Sequence, residues 1–222
     1  WPDGTTHLVF TPLELTEKIA ALIPRPHESL LVYHGVLAAN AKREEAPIAA
    51  MMIADLSISN KNFARAVTVL APLASTPSHS LYPNALSKRA WALQGDGRPE
   101  AAAAELAKLA AVLKARAASN TLSPADQALR EAVQMDAPSI AYMAFMSGQG
   151  AKGKKFTLLN ANTLFRSFDT GEGYQVMATR FADHLRTADM NSDVRAWKAI
   201  VLKSDPTRKS LEMLIGILEY DL

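Results

Sequence analysis

The sequence predicts a mainly α-helical protein, an array of helical hairpins preceded by a small β-α-β segment. Three observations lead there. Hydrophobic residues make up 49% of the 222 and charged residues 21%, enough apolar material to bury a sizeable core and to exclude wholesale disorder. From Pro47 onward helix-start signals recur, with proline at or just inside the start at Pro47, Pro83, Pro99, Pro124 and Pro206, where its missing N–H costs nothing. Alanines and leucines then recur in pairs 36 residues apart.

Taken in order, Asp3-Gly4 signals a turn, and Thr5 to Phe10 is β-branched and aromatic enough for a short strand. Thr11-Pro12-Leu13-Glu14 reads as a helix start, with Thr11 as cap and Glu14 completing a capping box. Leu15, Ile19, Leu22 and Ile23 follow at helical spacing until Pro24 and Pro26, and Ser29 to Leu37 is a second extended stretch. These residues, 1–45, form one expected unit and residues 47–222 a helical one. Helices are predicted over 47–58, 62–75, 83–95, 99–118, 123–135, 138–147, 157–168, 174–187, 192–203 and 206–219. Ser123 and Asp205 are the expected N-caps of two of them.

Within the helical part Ala54 and Ala90, Ala66 and Ala102, Leu70 and Leu106, and Leu73 and Leu109 are each 36 residues apart. Small residues let paired helices approach closely, and the leucines fill the groove between them. Residues 47–118 thereby resemble the tetratricopeptide repeat, whose helix pairs recur about every 34 residues. The proline that ends the family's repeat has no clear counterpart, Pro72 falls inside a predicted helix, and a third copy does not align. A 36-residue step from Ala90 lands on Asp126, and one from Ala102 lands on Pro138. An alanine-rich bundle with chance spacing is the competing reading.

The strings Asp3-Gly4-Thr5-Thr6-His7 and Tyr33-His34-Gly35-Val36-Leu37-Ala38 resemble, in order and spacing, the C-terminal end of double-tyrosine insertion-sequence transposases of the HUH superfamily. The likeness covers residues 1–43; Ala39 departs from it where the family usually has proline. In that family a His-hydrophobic-His metal motif and nucleophilic tyrosines precede these strings. The resemblance therefore implies that both lie upstream of Trp1, that Tyr33 carries no catalytic role, and that the segment as given does not cut DNA. A transposase tail joined to an unrelated helical protein, as an insertion element beside a gene would leave, is the expectation. One uninterrupted ancestral gene at the parent locus would contradict it.

Composition excludes several functions. No cysteine occurs, so there are no disulfides, thiolate zinc sites or cysteine nucleophiles. The net charge is +2 and evenly spread, unlike the concentrated basic block of most nucleic-acid binders. No apolar run approaches the ~18 residues of a membrane span. Because the chain begins at Trp1, its natural start, with any signal peptide, is expected upstream. The cysteine-free composition fits a cytoplasmic setting without requiring one.

Ser147 to Lys155 offers a weak phosphate-loop candidate: Gly148, Gly150 and Gly153 with Lys154, but Lys155 where serine or threonine should hold magnesium. A phosphate loop also needs a strand before it, which Ala141 to Met146 alone can offer, and no further strands accompany it. A helix–helix connection is the better reading. Trp91 and Trp197 sit in helical apolar runs and read as packing residues, as do Met143 and Met146. His7 and His34 read as structural hydrogen-bonders. No catalytic residue, metal ligand or cofactor is expected. The expected partner is a peptide or protein held in a helical groove, with DNA reached through the transposase-like segment and no membrane contact. The competing expectation is a terminal portion of a DNA-binding transposase.

Overall fold

The computed structural model describes residues 46–148 and 156–204; apart from Ala46–Ala49 these belong to one unit, residues 50–222. The expected β-α-β segment, the transposase-like strings and the helix over 206–219 lie outside the described residues. Within them run eight α-helices and no strand: α1 (Ala46–Ser59), α2 (Phe63–Leu70), α3 (Tyr82–Gly95), α4 (Pro99–Ala118), α5 (Pro124–Gly148), α6 (Leu158–Phe168), α7 (Glu172–Thr187) and α8 (Asn191–Ser204).

The ends of these helices follow from local chemistry. Ser123 caps α5 as expected: its Oγ accepts from the Asp126 N–H at 3.0 Å, while Asp126 Oδ2 accepts from the Ser123 N–H at 3.1 Å. Thr157 and Asn160 form the same reciprocal box at the start of α6. At the other end, α1, α3, α4 and α7 stop alike. The N–H of Asn62, Arg98, Thr121 and Met190 each reaches back to the carbonyl of Ser57, Leu93, Arg116 and Leu185 at 2.7–3.0 Å. The residue before each donor is left-handed: Lys61, Gly97, Asn120 and Asp189, with φ between 53° and 74°.

Two prolines correct the predicted helices. The helix over 62–75 ends as an α-helix at Leu70, and Pro72 introduces a single 3-10 turn, Leu73–Ser75. Conversely, 123–135 and 138–147 are one 25-residue helix with Pro138 inside it. Proline removes a backbone hydrogen bond and pushes away the carbonyls a turn before it. Here neighbours hold the helix across that point: Arg180 of α7 reaches the Met135 carbonyl at 3.5 Å, and Trp91 and Gln94 of α3 bond Asp136 and Ser139.

From α2 onward each helix packs on the next. In addition α3 packs on α5, α4 on α6, α5 on α7 and α6 on α8. All eight residues of the 36-residue repeat are buried, at matching places in α1 and α3, in α2 and α4, and in the stretch after α2 and in α4. The first half of the core is thus alanine and leucine. The second half adds an aromatic cluster to further alanines and aliphatics: Phe165, Phe181 and Trp197 are fully buried, with ring centroids 4.7–5.9 Å apart. The indole of Trp197 donates to the Ala178 carbonyl at 3.0 Å.

Candidate interaction face

The alternate helices α1, α3, α5 and α7 share a row of cross-helix polar contacts. Lys88 of α3 pairs with Asp55 of α1. Trp91, one turn on from Lys88, donates its indole N–H to Asp136 Oδ2 of α5 at 3.1 Å, and Gln94 donates to Ser139 Oγ at 3.3 Å. Arg180 of α7 meets the Met135 carbonyl, and His184, one turn further, stacks on Tyr142 with centroids 5.3 Å apart and planes 20° from parallel. These links place α3, α5 and α7 side by side with one common face outward.

Between those polar contacts the face exposes large apolar side chains. Trp91 is 47% exposed, Met135 48%, Met143 45% and Val176 42%. Met135, Ser139 and Met143 succeed one another at i,i+4 along α5, as Val176 and Arg180 do along α7. Met143 and Met146, expected as core filler, are therefore exposed, and Trp91, expected in core or inter-helix packing, is half exposed while its indole bonds across to α5. The periodicity that suggested burial is genuine, but Ala90, Ala92 and Leu93 take the inward positions around Trp91. A tryptophan with its polar edge fixed and its faces open offers a broad contact area with little rotamer entropy to lose. Methionines beside it conform to varied shapes. Asp136 and Arg180, which make two of these contacts, are of opposite sign and add orientation rather than net attraction. The sequence signal that could have found this face is the set Trp91, Met135, Met143 and Val176 falling on alternate helices.

The phosphate-loop candidate is placed only in part. Gly148 closes α5, while Gly150, Gly153 and Lys154 lie outside the described residues. Ala141 to Met146, the one strand a phosphate loop had available, is helical. Gly148 stands at the carbonyl end of its helix, where the dipole is negative and disfavours phosphate. It borders a depression of about 380 Å³ lined, among the described residues, by Phe145, Leu158, Ile200 and Asp193. Among the described residues no three acidic or histidine side chains cluster to hold a metal, and no helix is long and apolar enough to cross a membrane.

The Asp126 carboxyl, at the start of α5, is held low by its neighbours. Burial pushes its carboxyl up, but the Ser123 N–H, the Ser123 hydroxyl and the Arg116 guanidinium at 2.6 Å outweigh that and hold it below the ordinary value. Its role is to fix the start of α5 against α4. None of the protein-family models, curated proteins or solved structures compared with the chain matches it.

Proposed function

We propose that the helical part is a tetratricopeptide-like interaction module, and that the outward face of α3, α5 and α7 holds a peptide segment of a protein partner. The supporting observation is the exposed set of Trp91, Met135, Met143 and Val176 on three successive alternate helices. Large aromatic and methionine side chains are the residues that carry binding energy at such surfaces. Packing between helices one and two apart in the chain favours a stacked array over a bundle closed on itself. The bound peptide supplies two or more apolar side chains to the Trp91–Met135 stretch and a polar group to Asp136 or Arg180. No chemistry on substrate is part of this reading.

The test is selection of a displayed random-peptide library on the purified chain. Selected peptides rich in apolar anchors, bound about tenfold or more weakly by Trp91→Ala, are the expected result. Peptides that bind Trp91→Ala as tightly as the parent would exclude this face.

A second reading, that the chain belongs to a DNA-binding transposase, is supported by the strings Asp3–His7 and Tyr33–Ala38. It predicts duplex affinity for the full chain that falls steeply with salt. Affinity too weak to measure at low salt would exclude it.

A further inference from the structure

Lined by none of the residues of the interaction face, a cleft of about 170 Å³ lies among α4, α6 and the first turns of α5. Among the described residues, three cationic side chains line it, Lys114, Arg130 and Arg166, with one acid, Asp169. The acid is already engaged by the backbone. Asp169 Oδ1 accepts from the N–H groups of Thr170 and Gly171 at 2.7 and 3.0 Å, and Oδ2 from that of Gly173 at 3.2 Å. A Cβ at position 173 would sit 2.5 Å from both Asp169 Oδ2 and Gln134 Nε2, so any other residue there would make these side chains shift.

The cations, by contrast, keep donors to spare. Arg130 gives Nε and Nη2 to the Phe168 carbonyl at 3.0 and 2.6 Å, with Asp169 Oδ1 3.6 Å away, which leaves its Nη1 edge. Arg166 gives Nη1 to the Ser204 carbonyl and lies over the Tyr174 ring at 5.7 Å. Both of those partners are neutral, and its remaining donors have no acid to meet among the described residues. Lys114 is exposed and makes no ion pair among them. The two arginines are fixed by these bonds in advance of any ligand, which lowers the ordering cost of binding. Leu113 and Phe168 add an apolar wall.

We propose that this cleft is a binding site for a phosphate monoester. The formal charge of its described lining residues is +2, which a monoester of about −2 charge at neutral pH matches and a single carboxylate does not. Its donors are the planar edges and ammonium group that phosphate oxygens accept from. The apolar wall of Leu113 and Phe168 takes the carbon side of the ester.

The experiment is calorimetric titration of the full chain at constant ionic strength with inorganic phosphate, phenyl phosphate and acetate. The proposal expects saturable one-to-one binding of both phosphates, phenyl phosphate the tighter, and acetate about tenfold weaker or undetectable. Lys114→Ala, an exposed change with no partner to disrupt, is expected to weaken phenyl phosphate about tenfold. Lys203→Ala, which removes the same charge from α8, is expected to leave binding unchanged. No saturable binding, acetate as tight as phosphate, inorganic phosphate at least as tight as phenyl phosphate, or equal losses in the two lysine variants would each overturn it. None of these results depends on the peptide face, so the two proposals fail separately.

Discussion

Lys61 occupies the left-handed conformation at φ 57°, the place that Gly97 fills 36 residues later in the matching turn. A side chain there costs about 1 kcal/mol that glycine does not incur, partly offset by glycine's freer unfolded chain. Lys61→Gly is therefore expected to raise stability by about 0.5 kcal/mol in urea unfolding, and Gly97→Ala to lower it by about 1 kcal/mol. Gly95 is constrained differently: a Cβ there would lie 2.6 Å from the Phe63 ring. At Asp126 the sign of the pH effect follows from its lowered carboxyl. Its stabilisation is present above the ordinary value of about 3.9 and is lost as pH falls from there through the lower folded value. Asp126→Asn should flatten the acid end of the stability–pH curve, and an unchanged curve would remove Asp126 from the account. Ser123 as a cap was legible in the sequence because the S-x-x-D pattern states its own chemistry. The exposure of Trp91 was not, because helical spacing alone does not tell which of Ala90, Trp91 and Ala92 faces in.

Among the elements, α5 shows how tertiary contacts override a local breaker. Proline is a strong stop signal in isolation, and no pattern within residues 124–148 announces that Trp91, Gln94 and Arg180 will brace the helix there. Amide exchange measures the outcome. Backbone N–H groups from Ser139 to Tyr142 are expected to be protected like the rest of α5, whereas a break before Pro138 would leave them exchanging at loop rates. At α6 the capping box predicts that Thr157→Ala costs about 1 kcal/mol. The length of α2 was misread for the opposite reason: apolar periodicity continues past Leu70 while Pro72 turns the chain.

Across the described residues the mainly helical class was legible in the sequence, and so was the burial of the eight alanines and leucines spaced 36 residues apart. Helices α1, α3, α5 and α7 begin at residues 46, 82, 124 and 172, so the spacing lengthens from 36 to 42 to 48 residues. A search at one fixed period finds only the first step. The core chemistry changes along with the spacing, from alanine contacts to the Phe165–Phe181–Trp197 cluster, and the later helices carry no copy of the Ala/Leu signature. Because packing runs between near neighbours in the chain, damage is expected to stay local. Phe181→Ala should cost about 3–5 kcal/mol, with amide protection lost from α7 and α8 before α3 and α4.

The central claim is that the outward face of α3, α5 and α7 holds a peptide, and hydroxyl-radical footprinting of the chain with and without a selected peptide tests it most directly. Trp91, Met135 and Met143 are among the most exposed oxidisable side chains of the described residues. The account predicts that all three are protected together on binding while Met52 of α1, also exposed, stays as reactive as before. Protection of Met52 alone, or none at the three, would contradict it.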